Sequence, residues 1–202
     1  MMVLVGLLFL ATAAFAQESR QEVSVSAEAI AGPQVYGNTV TQTSTISGGF
    51  LASYRYMLTP RSALEVNYAW AHNSQIFSGA SGTLPATGIR VHTRQQEFSS
   101  AYVYTRNYRN FNPFAELGIG VFVFTPLTDA GTQSLDITKA NKNIGMLGGL
   151  GLAYELSPSF DIRAEYRGYL AKAPSFNSPG NEFKTGRYEW FSAPAIGIAY
   201  HF

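Results

Sequence analysis

Hydrophobic and polar positions alternate with a period of two along eight segments of this chain. The pattern is clearest in the last segment, where four large apolar residues share one parity: Ile196, Ile198, Tyr200 and Phe202. Smaller residues take the other parity there: Ala195, Gly197 and Ala199. A period of two is typical of a β-strand with one apolar face. A strand in this position leaves no unpaired edge if it closes a barrel.

The other alternating segments are separated by connections whose lengths follow a simple rule. The segments cover 21–31, 48–58, 64–70, 94–105, 113–124, 144–155, 162–170 and 188–202. Short turns at 59–62, 106–110 and 157–159 alternate with long polar loops at about 32–47, 73–91, 125–141 and 171–186. This order predicts an all-β fold, an eight-stranded antiparallel up-and-down β-barrel. Its two ends are called the turn end and the loop end below.

The glycines indicate which face of the strands points inward. Gly118 and Gly120 share a parity with Glu116, and Gly149 and Gly151 share a parity with Glu155. A narrow lumen needs small residues, whereas glycine on an exposed strand face only costs stability. The apolar faces also carry too many aromatic side chains to fit inside eight strands. We therefore predict a transmembrane barrel with apolar residues outside, and keep a soluble lipocalin-like ligand-binding barrel as a third alternative.

This orientation fills the lumen with charge and leaves an apolar wall outside. The predicted lumen charges are Glu28, Arg55, Glu65, Glu97, Glu116, Glu155, Arg163, Glu165, Arg167, Arg187 and Glu189. Arginine forks pair well with carboxylates, so these side chains should plug the tube. Phe122 and Phe124 also fall on the lumen parity, which leaves open either a bulge or the end of the hydrocarbon zone.

Aromatic residues concentrate at both ends of the segments, as in the two interface girdles of membrane barrels. At the turn end they are Tyr54, Tyr56, Tyr102, Tyr104 and Tyr154. At the loop end they are Trp70, Tyr188 and Trp190. The sequence therefore predicts two girdles on the outer surface.

Composition agrees with one exported domain. Charged residues make up 13% of the 202 residues, the formal net charge is +1, and there is no cysteine. The charge gives no indication of nucleic-acid binding, and the lack of cysteine excludes disulfides, thiolate metal sites and lipoprotein acylation. Residues 1–16 resemble a signal peptide that is cleaved after Ala16, although no lysine or arginine precedes its apolar core. The barrel domain would then be 17–202.

Three segments, together with the aromatic last strand, resemble the small OmpX/OmpA-type outer-membrane β-barrel proteins. They are Leu64–Tyr68, Pro113–Gly118 and Arg163–Arg167. The resemblance implies a monomer in the Gram-negative outer membrane, in contact with lipid and lipopolysaccharide. It also implies insertion by the barrel-assembly machinery, with Ile196, Ile198, Tyr200 and Phe202 as the assembly signal. Envelope integrity, adhesion or host contact through the loops would be the role.

One motif has the residue spacing of an enzyme active site. His72 and Ser74 have the His-x-Ser spacing of an outer-membrane lipid A deacylase, which needs a carboxylate to orient the histidine. The adjoining Glu97 lies on the lumen parity and cannot reach an outward His72. His72, His92 and His201 do not have metal-ligand spacing, and we predict no cofactor. We therefore predict a non-enzymatic protein, with the hydrolase as the alternative.

Basic residues near the long loops have two interpretations. They are Arg90, Arg94, Lys139, Lys142, Lys172 and Lys184. They either contact lipopolysaccharide phosphates or only keep the loops soluble.

Overall fold

The computed structural model describes residues 20–79, 88–129, 132, 139–176 and 184–202. The predicted leader lies outside these residues, and its cleavage remains a prediction. The strands are β1 (Gln21–Ile30), β2 (Val35–Gly37), β3 (Val40–Ser44), β4 (Ser47–Thr59), β5 (Ser62–Gly79), β6 (Ile89–Thr105), β7 (Phe111–Pro126), β8 (Asn141–Ser157), β9 (Phe160–Lys172) and β10 (Tyr188–His201). None of the described residues forms a helix long and apolar enough to cross a membrane.

Eight of these strands close into a barrel. Starting from β1, the order is β4, β5, β6, β7, β8, β9 and β10, and β10 pairs back with β1. Every pairing is antiparallel, and the closing ladder runs from Glu22 opposite His201 to Glu28 opposite Ala195. The predicted eight-stranded up-and-down barrel is confirmed.

The first long loop is not irregular as predicted, because it contains the hairpin β2–β3. Asn38 and Thr39 form its turn with φ of 49° and 63°, as expected for two central residues of a type I′ turn. β3 pairs with the outer part of β5, from Val40 opposite Gly79 to Ser44 opposite Gln75. β5 continues to Gly79 and β6 begins at Ile89, whereas the sequence predicted strand segments that end at 70 and begin at 94.

The alternating residues separate into an inner and an outer face as predicted. On the outside, Leu117, Ile119, Leu150 and Ile196 each keep 60% or more of their surface exposed. On the inside, the charged side chains of the same strands are almost completely covered, with Arg167 at 0% and Arg163 at 1% exposed. Such an apolar outer wall is stable only against lipid.

The inward glycines lie where a side chain would collide with the adjacent strand. A Cβ atom on Gly118 would lie 2.2 Å from the carbonyl oxygen of Ser100 and 2.7 Å from the Cα of Ala101. On Gly151 it would lie 2.2 Å from the ring of Phe114. A backbone neighbour cannot move aside as a flexible side chain can, so the small residues are required by the wall itself.

Replacing Gly118 with valine should therefore lower the free energy of unfolding by about 3 kcal/mol, the upper part of the usual range for overpacking. Urea unfolding of the refolded protein, followed by tryptophan fluorescence, measures this. Gly48→Val is the matched control, because nothing lies within 4 Å of a Cβ atom at Gly48. Equal losses in the two variants would contradict the steric explanation.

Candidate functional site in the lumen and at the loop end

Arg163 forms the centre of an ion cluster near the turn end of the lumen. Its guanidinium donates to Glu22 at 3.1 Å, to Glu65 at 2.8 Å and to Glu165 at 2.9 Å. Arg55 joins the same cluster through Glu65, at 2.7 Å. These contacts connect β1, β4, β5 and β9 across the barrel. The side chains of this cluster are at most 6% exposed.

An aromatic ring covers this first cluster. The guanidinium carbons of Arg55 and Arg163 lie 4.8 and 4.7 Å from the centre of the Phe114 ring. Phe114 is 4% exposed. Cation–π contacts of this kind are strongest where water is excluded.

Arg167 forms a second cluster, one level closer to the loop end. It lies 2.6 Å from Glu97, 3.1 Å from Glu116 and 3.8 Å from Glu28. The side chains of all four residues are at most 2% exposed. Since Arg167 and Arg163 are four residues apart on β9, both point inward and their clusters lie one above the other.

Above the charges, the lumen contains stacked aromatic rings. Tyr169 stacks on Phe122 with ring centroids 4.4 Å apart, and on Phe191 at 5.1 Å. Phe124 packs against Phe191 at 5.7 Å, and Gln95 donates a hydrogen bond to the Tyr169 hydroxyl. The β6–β7 ladder is regular here, with Gln95 opposite Phe124 and Glu97 opposite Phe122. Phe122 and Phe124 therefore point into the lumen without a bulge and form an apolar plug.

The hairpin β2–β3 adds a polar layer over this plug. Gln42 donates to Gln75 at 3.0 Å, and the Ser44 hydroxyl lies 2.8 Å from Gln75 and 3.1 Å from Glu189. Phe176 packs edge-on against Phe77, with centroids 6.1 Å apart. The lumen is thus covered at this end by the hairpin, β5, β10 and the segment that follows β9.

Comparison with known proteins agrees with this architecture. The model of the outer membrane protein beta-barrel domain matches residues 2–202. The chain belongs to this family. It is an outer-membrane β-barrel protein, which confirms the predicted fold class and localisation and excludes the soluble barrel.

Solved structures show the same fold. OprG of Pseudomonas aeruginosa is 13% identical with a TM-score of 0.62, over 90% of this chain and 95% of OprG. Neisserial surface protein A is 13% identical with a TM-score of 0.59, over 91% and 98%. Ail of Yersinia pestis, in complex with the heparin analogue sucrose octasulfate, is 15% identical with a TM-score of 0.51, over 91% and 99%. A search of curated proteins finds no match.

The aromatic residues of this outer-membrane barrel lie on its outer wall at two levels. Tyr54, Tyr56, Tyr102 and Tyr104 are exposed near the short turns, as is Tyr154. Trp70, Tyr188 and Trp190 lie near the loop end; Trp70 is half-buried because it stacks on Phe50 with centroids 5.8 Å apart. The two levels have the arrangement of interface girdles.

The structure changes the predicted set of lumen charges at four residues. Arg187 precedes β10 and is exposed, so its assignment to the lumen is wrong. Glu155 lies half-buried at the turn end, opposite Asp161 in the β8–β9 ladder. Sequence reasoning missed Glu22 and Asp161, although each shares a parity with lumen residues of its own strand. Asp161 bonds His201 at 3.0 Å, so His201 belongs to the turn-end network.

The suggested hydrolase residues lie on the outer wall at the loop end. His72 packs between Trp70 and His92, with ring centroids 4.5 and 5.5 Å away. The carboxylate of Asp129 bonds His92 at 2.8 Å and not His72. The backbone N–H of Ser74 donates to the hydroxyl of Thr45 at 2.9 Å. Glu97 is buried with Arg167, so the motif lacks its orienting carboxylate among the residues described.

A metal site has no more support in the structure than the hydrolase site has. Within the described ranges, no group of three or more histidine, aspartate or glutamate side chains is arranged to hold a metal ion. The lumen carboxylates instead surround arginine, which already supplies the positive charge.

Proposed function

We propose that the protein is a closed outer-membrane barrel that conducts no solute and acts at the cell surface through its long loops and the β2–β3 hairpin. The observation that carries this proposal is the filled lumen. Three successive layers lie in the lumen: the Arg163 cluster, the Arg167 cluster and the Phe122–Tyr169–Phe191 stack.

Each layer resists opening for a different reason. The two arginines contact six carboxylates from β1, β5, β6, β7 and β9, and breaking any contact would leave a charge uncompensated in a buried site. The aromatic stack fills the upper lumen with large rings, and the hydroxyl of Tyr169 already accepts a hydrogen bond from Gln95. A barrel without a permeation path leaves the loop end as the part available for specific contacts.

The hairpin is the described element best suited to such contacts. Its turn residues Asn38 and Thr39 are exposed, as is Tyr36 at 64%. Its base is fixed by the ladder to β5, and Asn38 donates to the backbone carbonyl of Lys184 at 2.8 Å. A rigid base with an exposed tip presents side chains at low entropic cost. The hairpin segment 34–41 has no lysine or arginine, so we propose that its contacts are made by exposed polar and aromatic side chains such as Tyr36.

The closed lumen is tested by conductance. We expect the purified protein to give no unitary current steps in a planar lipid bilayer at neutral pH and moderate salt, because both arginine clusters block the path. An open porin in the same bilayer is the positive control. Reproducible current steps from this protein would contradict the proposal.

The hairpin is tested on intact cells. An epitope inserted between Asn38 and Thr39 should be labelled without permeabilisation. Heat-modifiable mobility on unboiled gels verifies that the barrel still folds. An epitope labelled only after permeabilisation would refute the surface location.

The hydrolase alternative predicts a different result. Cells that express the protein should then contain lipid A with fewer acyl chains, and Ser74→Ala should restore the full number. An unchanged acyl count, which mass spectrometry of lipid A detects, is the outcome we expect.

A further inference from the structure

A carboxyl group lies buried beneath the β2–β3 hairpin, at the loop end of the lumen. Glu189 is the second residue of β10 and is 1% exposed. The hydroxyl of Ser44, on β3, lies 3.1 Å from its Oε1 atom. A Cβ atom on Gly32 would lie 2.2 Å from the same oxygen, so the backbone of the segment after β1 packs directly on the carboxyl group. Glu189 therefore joins β10 to the hairpin in an almost fully covered site.

No positive charge compensates this carboxyl group. The chain has 14 lysine and arginine residues, all of them within the described ranges, and none of these side chains forms an ion pair with Glu189. Arg187, two residues earlier, and Lys172, at the end of β9, are both exposed. Glu189 differs in this respect from the glutamates of the two arginine clusters.

The elements packed around Glu189 present only uncharged side chains to it. β3 contributes Ser44, and the residue opposite Glu189 in the β9–β10 ladder is Ala171. The next inward titratable groups on β1 and β9 are already engaged, since Glu28 faces Arg167 and the Tyr169 hydroxyl accepts from Gln95. Burial without a counterion favours the neutral form of a carboxyl group.

The hydrogen bonds of Ser44 agree with a neutral carboxyl group. A serine hydroxyl has one hydrogen to donate. The Oε1 atom of Gln75 accepts from Ser44 at 2.8 Å and from the Gln42 amide at 3.0 Å. With the hydrogen of Ser44 directed at Gln75, the 3.1 Å contact to Glu189 is a hydrogen bond only if Glu189 is the donor.

We propose that Glu189 keeps its proton at neutral pH and acts as a pH-sensitive latch that holds the hairpin on the barrel. Loss of the proton places an uncompensated charge in the covered site, and the charge is relieved when the carboxylate separates from Ser44 and Gly32 and is hydrated. The regulatory meaning of the latch rests on the proposed surface role of the hairpin, whereas the latch itself does not.

The direction of the pH dependence follows from where the proton binds more tightly. With the hairpin released, Glu189 is hydrated and titrates near about pH 4.3, as an exposed glutamate does. With the hairpin closed, burial keeps the proton bound to a higher pH. The closed hairpin is therefore favoured at low pH and is lost as the pH rises.

A spin label on the hairpin measures this change. The chain has no cysteine, so Tyr36→Cys provides a single attachment site at an exposed position of β2. We expect an immobile label at about pH 5.5 in the refolded protein in lipid. Between about pH 6 and 9, the ratio of mobile to immobile label should rise by up to about ten-fold per pH unit, the value for one proton.

Two variants in the labelled background separate the latch from other titrating groups. Glu189→Gln has an amide that donates to Ser44 but cannot ionise, so its label should stay immobile throughout. His92→Gln is the control, because an exposed histidine titrates near about pH 6.5 and His92 lies opposite Ser74, whose backbone N–H donates to Thr45 beside β3. This variant should keep the transition.

Infrared spectroscopy detects the proton without a label. A protonated carboxyl group absorbs at a higher frequency than a carboxylate, so the spectrum of the unaltered protein at neutral pH minus that of E189Q should show one acid band. The band should disappear over the same pH range in which the label becomes mobile. Heat-modifiable mobility verifies that each variant is folded.

Four outcomes would overturn the latch. They are a label in the unaltered background that ignores pH, a label that is mobile at every pH in E189Q, loss of the transition in H92Q, and a difference spectrum without the acid band. The second result would show that an ionised carboxylate holds the hairpin. None of the four changes the expected conductance or epitope labelling, which test the proposed function separately.

Discussion

Replacing Arg163 with methionine should lower the free energy of unfolding by about 3–5 kcal/mol, the usual cost of removing one partner from a buried ion cluster. The guanidinium contacts Glu22, Glu65 and Glu165 at 2.8–3.1 Å, and all these side chains are at most 6% exposed. Without it, three carboxylates remain close together, with Arg55 as their nearest cation. The measurement is reversible urea unfolding of the refolded protein in detergent or lipid.

Two further variants distinguish loss of the ion cluster from loss of surface charge. Arg61→Met removes an exposed arginine at the turn end and should change stability by less than about 0.5 kcal/mol. Adding Glu65→Gln and Glu165→Gln to Arg163→Met should recover part of the loss, because fewer buried charges are then uncompensated. A loss in Arg163→Met no larger than that in Arg61→Met would contradict the proposed role of the cluster.

Deleting Phe202 should reduce the amount of protein in the outer membrane several-fold while leaving export unchanged. The backbone N–H of Phe202 donates to the carbonyl of Gln21 at 2.9 Å, and the N–H of Gln21 donates back at 3.3 Å. The Phe202 ring stacks on Tyr200 with centroids 5.9 Å apart. The deletion therefore shortens the seam between β1 and β10 and removes the final aromatic residue of the predicted assembly signal. Immunoblots of separated periplasm and outer membrane measure the effect.

Phe160→Ala is the matched control for this deletion. Phe160 contacts the same Tyr200 ring at 5.0 Å and lies in the same outer wall, but it belongs to β9 and not to the last strand. We expect this variant to reach the outer membrane in nearly normal amounts. Normal outer-membrane levels of the Phe202 deletion would refute an assembly signal at the last residue. Purified deletion protein should still refold in detergent, which separates assembly from stability.

Much of this architecture followed from parity alone. In a strand, residues of one parity share a face. The separation of Glu116, Gly118 and Gly120 from Leu117, Ile119 and Val121 therefore determines the inner and outer faces of β7 from the sequence alone. The alternation of long and short connections fixed the topology for a similar reason, because a closed barrel admits few ways of joining eight antiparallel strands.

Parity did not determine which strands approach each other across the lumen. Arg163 and Arg167 were both predicted inside, but apart from Glu165 their partners lie 51–141 positions away along the chain. Which of these residues meet depends on the stagger of the strands. The same limit applies to Phe122 and Phe124. Their parity was correct, but only the packing of Tyr169 and Phe191 against them shows that the upper lumen is apolar and that no bulge is needed.

The sequence by itself determined the fold, the direction of each strand face, the membrane-facing wall and most of the charged lining. Only the tertiary structure decided that β2–β3 continues the sheet above β4 and that Arg187 is outside the lumen. These features depend on contacts between residues distant in the chain, and a periodic pattern within one segment carries no information about its neighbour's register.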